Sequence, residues 1–203
     1  MGNLRSVHRA LEQVAREARI VVTNRAEDVR LSDCVVLPGQ GAMSAWIDNL
    51  DEHALRDVIN TAVRTRPVLG ICLGLQVLYE FSEEGGGTHG LGLCAGTVRH
   101  FEALIPTMSR PLKIPHMGWN NVRQVKPHFM WTDIPERARF YFVHSYFVAS
   151  KTGHETVGQT EYGDVFTSAA AFDNVFAVQF HPEKSQRVGL RLLRNFLRWN
   201  GQS

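Results

Sequence analysis

The sequence predicts an α/β fold: an open, mostly parallel sheet with helices on both faces and an antiparallel extension. Three observations carry this. Helical and extended patterns alternate through the first 81 residues. The apolar runs at 34–37 and 68–71 are short, rich in β-branched side chains and bounded by turn residues, as buried parallel strands are. Beyond Gly85, Gly86 and Gly87 the texture changes to short alternating segments that suit antiparallel strands.

Taken in order, Leu4, Val7, Leu11, Val14 and Ala18 recur at three and four residues and predict an amphipathic helix over 4–19 with one buried stripe. A strand over 20–23 follows, and the run 34–37 is stopped by Pro38 and Gly39. A helix over about 52–64 leads to the strand 68–71, which runs straight into Cys72 and a helical stretch over 73–81. Strands are expected at 97–101, 140–143, 156–160, 165–171 and 175–180. A final helix over 185–199 buries Val188, Leu192, Phe196 and Trp199. The chain opens on a helix, whereas a doubly wound sheet normally begins with a central strand feeding that helix, so the first strand is expected to be absent from this chain.

At 203 residues the chain suits one domain spanning 1–203. With 44% hydrophobic and 21% charged residues and no apolar run near the ~20 residues of a membrane helix, no membrane role is expected. The N-terminus lacks a secretory pattern and three cysteines in unrelated contexts form no disulfide framework, which points to a cytoplasmic protein. The formal charge is +2. Its basic residues are scattered apart from Arg187, Arg191, Arg194 and Arg198, which read as the solvated face of the last helix. No aromatic residues interleave with them, so no nucleic-acid binding is expected.

Three segments carry chemistry. Gly70-Ile71-Cys72-Leu73-Gly74-Leu75-Gln76 places a cysteine between a buried strand and a helix, flanked by glycines that let backbone pass close to a strained turn. A helix N-terminus there would favour the thiolate. Taken alone, the segment divides between a nucleophile and a small buried hydrophobe. Gln179-Phe180-His181-Pro182-Glu183 tips the balance: a strand ending at His181 presents its imidazole at the sheet's C-terminal edge, where Glu183 can fix the ring's tautomer. Cys72, His181 and Glu183 then make a nucleophile, a base and an orienting carboxylate. Leu37-Pro38-Gly39-Gln40-Gly41-Ala42-Met43, between a strand and a helix, can turn main-chain N–H groups toward an oxyanion together with the N–H of Leu73. Trp119, in a polar loop after Pro115, is either an interface anchor or a core tryptophan. Cys34 and Cys94 read as structural. Cys72 and His181 lack further ligands at metal-site spacing, so neither a metal nor another cofactor is expected.

These segments, with Pro115-His116-Met117-Gly118-Trp119-Asn120, His144-Ser145-Tyr146 and the opening Gly2-Asn3-Leu4-Arg5-Ser6-Val7, closely resemble the class I (triad) glutamine amidotransferases. Within that class they are similar to the glutaminase subunits of imidazole glycerol phosphate synthase, over residues 2–185. The resemblance implies a flavodoxin-like sheet and glutamine hydrolysis by Cys72, His181 and Glu183, with an oxyanion hole near Gln40 and at Leu73. It also implies glutamine binding by Gly39, Gln76, Ser145 and Tyr146. Ammonia would pass to a (β/α)8-barrel cyclase subunit, the two chains forming a heterodimer, for a step of histidine synthesis. Trp119, Asn120, Tyr141 and Lys184 would lie near the subunit junction. The sequence departs from that family's pattern where Gln40 stands at a position often occupied by valine, and in lacking a strand before Gly2. Other readings are a glutaminase of the pyridoxal phosphate or anthranilate type, a free-standing γ-glutamyl hydrolase, and a non-catalytic interaction module with a vestigial triad.

Overall fold

The computed structural model describes residues 2–15, 17–107 and 112–202. In chain order its helices are α1 (Gly2–Val14), α2 (Ala26–Leu31), α3 (Met43–Glu52), α4 (Arg56–Thr65), α5 (Leu73–Gln76) and α6 (Gln186–Phe196). Its strands are β1 (Val35–Gly39), β2 (Val68–Cys72), β3 (Tyr79–Ser82), β4 (Thr88–His89), β5 (Cys94–His100), β6 (His116–Asn121), β7 (Arg123–Gln124), β8 (Arg139–His144), β9 (Tyr146–Ser150), β10 (Thr156–Tyr162), β11 (Asp164–Phe172) and β12 (Val175–Val178). The main sheet runs β1-β2-β12-β11-β9-β5-β3-β4, with β10 and β7 branching from β11. β1, β2 and β12 pair in parallel, as do β3 and β5. The remaining pairings of the main sheet are antiparallel, so the predicted antiparallel extension is present and is the larger part of the sheet. β6 and β8 form a separate antiparallel pair.

Side-chain alternation along the parallel strands splits the core between the two faces. Leu69 and Ile71 of β2, with Phe176 and Val178 of β12, join Val7, Leu11 and Val14 of α1 and Leu192, Leu193 and Phe196 of α6. Val68, Val175 and Ala177 point the other way, onto Ile59, Ala62 and Val63 of α4 and Leu75. Pro38 is tolerated inside β1 because, among the described residues, that strand pairs on one side only, with β2, so its missing N–H breaks no ladder bond.

Four expectations are corrected. The first helix ends at Val14, and its stripe is Val7, Ala10, Leu11 and Val14; Leu4 is 41% exposed and Ala18 lies outside the helix. Residues 20–23 form no ladder among the described residues, and Val21 and Val22 are each 52% exposed. The stretch 73–81 is helical only through Gln76, because Tyr79–Ser82 pairs with β5 as a strand. Finally, the segment read as a polar loop around Trp119 is the strand β6. α2, β4, β7 and β9 were not anticipated. The arginines of α6 do form a largely solvated face, with Arg191 paired to Asp133.

Leu11→Ala, at a position 4% exposed, is expected to cost about 3 kcal/mol in urea unfolding, while Leu4→Ala costs under about 1 kcal/mol.

Candidate active site

Three strand ends meet at the site. β2 terminates in Cys72, whose backbone sits at φ 56°, ψ −107°, a conformation that costs a non-glycine residue about 1–3 kcal/mol. The turn is held by close backbone packing. A Cβ on Gly74 would lie 2.0 Å from the carbonyl oxygen of Leu37, and one on Gly39 would lie 2.5 Å from Leu73 Cβ. Only glycine lets the end of β1 press against the start of α5, and that contact fixes where the thiol is presented. α5 is a single turn, so the helix-dipole support expected for a thiolate is small here. Electrostatic support must come from the facing histidine.

That histidine follows β12. After Val178 the chain continues through Gln179 and Phe180, and His181 leads a 3-10 turn, Pro182–Lys184. Phe180 is buried and stacks on Phe140 at 4.0 Å between ring centres. The backbone N–H of His181 donates to the Tyr141 carbonyl at 2.9 Å. Ser185 Oγ accepts from the Tyr141 N–H at 2.9 Å and donates to the His181 carbonyl at 2.7 Å. Two of these bonds fasten the turn to β8 at Tyr141, and the third closes the turn on itself.

His181 Nδ1 lies 2.8 Å from Glu183 Oε1, which leaves Nε2 as the nitrogen that meets the Cys72 thiol. The Glu183 side chain is 0% exposed and its second oxygen, Oε2, has no partner among the described residues. Burial works against protonation of His181, but its hydrogen bonds and charge interactions with Cys72 and Glu183 outweigh this and push the imidazole up to about 9. The structure therefore brings Cys72, His181 and Glu183 together as a linear set. It is equipped to hold a proton on imidazole beside a nucleophilic sulfur.

Sequence reasoning missed Gln179, which is buried and donates through Nε2 to Cys72 Sγ at 3.6 Å. The available signal was an amide in an otherwise apolar run, since a buried polar side chain is the informative exception. Gln76 Nε2 donates to Gln179 Oε1 and to the Tyr146 carbonyl, both at 3.0 Å, so its amide carbonyl is the end that can receive a donor from a ligand. Ser145 and Tyr146 lie beside it, the Ser145 carbonyl accepting from Phe101 N–H at 3.1 Å. The Tyr146 phenol is raised by burial and then by the carboxylates of Glu84, Glu102 and Glu83, which make this mouth of the site acidic. Gln40 is exposed at the end of β1, and Leu73 is the first residue of α5, whose N–H the helix itself leaves unused.

The residues expected at a partner junction divide. Trp119 and Tyr141 are opposite one another across β6 and β8, their rings 6.1 Å apart and edge-on. Lys184 Nζ sits 5.7 Å above the Tyr141 ring. Trp119 is 37% and Met117 65% exposed on that outer face. Asn120 is on the other face by strand alternation, donating inward to the Glu161 carbonyl and to His116. Cys34 and Cys94 are unpaired, and burial raises both thiols, Cys94 to about 12 with Glu155 and Asp173 adding to it. Among the described residues no three His, Cys, Asp or Glu side chains converge as a metal cage, and no helix is long and apolar enough to cross a membrane.

Nitrogen-detected NMR should find His181 titrating near pH 9, and in Glu183→Gln or Cys72→Ala the midpoint should move to lower pH, because each change removes an interaction that favours imidazolium. Gly74→Ala is expected to cost about 3 kcal/mol on urea unfolding, since the clash is with backbone that cannot rotate away.

The glutamine amidotransferase class-I family model matches residues 1–199. The imidazole glycerol phosphate synthase subunit HisH of Thiobacillus denitrificans is 51% identical over 202 residues, covering 98% of this chain and 88% of that protein. The subunit of the same name from Nitrosococcus oceani is 50% identical over 203 residues, covering 100% and 95%. A crystal structure of a glutamine amidotransferase superposes with a TM-score of 0.69 at 19% identity, over 97% of this chain and 93% of that one, and shares the fold. With the site geometry above, these likenesses place the chain in the class I glutamine amidotransferase family.

Proposed function

We propose that this chain is the glutaminase subunit of imidazole glycerol phosphate synthase, releasing ammonia from glutamine for a cyclase subunit in histidine synthesis. The observation that carries the catalytic assignment is the buried line Cys72, His181, Glu183, with the Glu183 side chain fully enclosed and its Oε2 without a partner among the described residues. Burying a carboxylate in this way costs stability that a plain turn does not require, which speaks against a vestigial triad. Relatives about half identical over nearly the whole chain favour this synthase over the pyridoxal phosphate and anthranilate types.

In this reading Cys72 Sγ attacks the side-chain carboxamide carbon of glutamine. As the C–S bond forms, main-chain N–H groups at Leu73 and near Gln40 receive the oxyanion. His181 gives its proton to the departing nitrogen as the C–N bond breaks, leaving a γ-glutamyl thioester and ammonia. Water then attacks the thioester, His181 takes its proton, and the C–S bond breaks to give glutamate. Gly39 and the backbone of Ser145 and Tyr146 line the amino-acid end. There the Gln76 carbonyl and the acidic mouth suit the substrate's α-ammonium group.

The ammonia acceptor is a (β/α)8-barrel subunit docked on the outer face of the β6–β8 pair, where exposed Met117 and Trp119 adjoin Tyr141 and Lys184. Reaction on the glutamine side is thereby one hydrogen bond from the interface, because the Tyr141 carbonyl holds the His181 amide.

Glutamate release should be slow for the chain alone, strong in complex with the cyclase subunit and its nucleotide substrate, and reduced ~10⁴-fold or more in Cys72→Ala. No release from a complex shown to be assembled would refute the assignment. Trp119→Ala should weaken subunit association by about 2 kcal/mol, roughly 30-fold in Kd by titration calorimetry, with the fold intact.

A further inference from the structure

Beneath the β6–β8 pair lies a polar chain that the reaction above does not use. His144 Nδ1 is 2.7 Å from the Tyr146 carbonyl, His144 Nε2 is 2.9 Å from His116 Nδ1, and His116 Nε2 is 3.3 Å from Asn120 Nδ2. Both histidines are buried, and burial lowers them, to about 4 for His116 and about 3 for His144, so each ring is neutral and carries one N–H. The tautomers then follow from the partners. A carbonyl can only accept, so His144 carries its proton on Nδ1 and accepts at Nε2; His116 therefore donates from Nδ1 and accepts from Asn120 at Nε2. Asn120 Nδ2 also donates to the Glu161 carbonyl at 3.0 Å, which fixes the amide's orientation at the outer end.

The inner end is the informative one. The Tyr146 carbonyl also receives Gln76 Nε2, Gln76 donates to Gln179, and Gln179 donates to Cys72 Sγ. One unbroken series of donors and acceptors thus joins the strand that bears Trp119 to the amino-acid end of the site and to the sulfur. The His116 ring is held flat between Tyr162, 3.9 Å away, and Phe142, 4.8 Å away, so its N–H direction is set by stacking as well as by hydrogen bonds.

We infer that His116 and His144 are positioning residues that orient the Tyr146 carbonyl and Gln76 for glutamine binding and make that subsite responsive to displacement of β6. Neither ring touches the reacting atoms in this account; they act through Tyr146 and Gln76. The inference rests on the glutaminase reading for the identity of the ligand.

Two substitutions of His116 separate positioning from packing. His116→Phe keeps the stack with Tyr162 and Phe142 but removes the donor to His144. His116→Asn keeps a donor near the place of Nδ1 but loses the stack. In the assembled complex, His116→Phe is expected to raise the glutamine KM about tenfold with kcat changed less than about twofold, the cost of one buried hydrogen bond expressed in binding. His116→Asn should restore KM to within about threefold of wild type while lowering the melting temperature more than His116→Phe does. Glutamine affinity, measured by calorimetry in a Cys72→Ala background, should follow the same order. Wild-type KM and affinity in His116→Phe, or impairment of His116→Asn equal to that of His116→Phe, would overturn the inference. Failure of the glutaminase reading is distinguishable, since it appears as wild-type complex that releases no glutamate, and the calorimetric order still decides whether the two rings position a glutamine site.

Discussion

The contact on which the site depends is the buried 2.8 Å bond between His181 Nδ1 and Glu183 Oε1. A carboxylate with no exposure holds the ring by a single nitrogen, which fixes both its tautomer and its plane and leaves Nε2 for the thiol. The enclosure also sets the electrostatics. Water would screen the pair and let the imidazole titrate near its ordinary value; without it, Cys72 and Glu183 together hold the ring cationic against its own desolvation cost. The fold supplies what that contact needs: a 3-10 turn opened by Pro182, tied to β8 through Tyr141 and Ser185 and seated on the Phe140 and Phe180 stack.

The second constraint is steric. Cys72 is held in a strained backbone conformation by glycines that allow β1 and α5 to approach within distances no side chain permits. Strain at a nucleophile persists only where surrounding structure over-determines it, and here the over-determination comes from β2 lying between β1 and β12 with both faces buried. The two constraints converge because the C-terminal ends of β2 and β12 are neighbours in register, Ile71 opposite Val178, so the sulfur and the imidazole emerge side by side.

How much of this the sequence disclosed depended on range and on pattern. Cys72, His181 and Glu183 were legible because each sits in a short segment whose neighbours already specify its backbone. The parallel strands around 35–39 and 68–72 were legible as compact apolar runs, whereas 175–178, expected as a strand among the antiparallel segments, pairs in parallel with β2. The segment 73–81 misled because it is buried on all sides at Leu75, Val77, Leu78 and Tyr79, and such a run carries no period to tell helix from strand. β6 was hidden by an inverted pattern, with His116 turned inward while Met117 and Trp119 face out. Residues 20–23 have strand-like composition without a ladder, and pairing, not composition, makes a strand. The bonds among Gln76, Tyr146 and Gln179 join positions 70 and 103 residues apart, a relation no local motif records.

Glutamine hydrolysis by this triad requires that the sulfur of Cys72 carry the acyl group. The most direct measurement is peptide mass spectrometry of the assembled complex quenched in acid during turnover of glutamine. A γ-glutamyl adduct on the peptide containing Cys72, lost when that residue is alanine, is the predicted result. Steady glutamate production with no adduct there, or an adduct on Cys34 or Cys94, would contradict it.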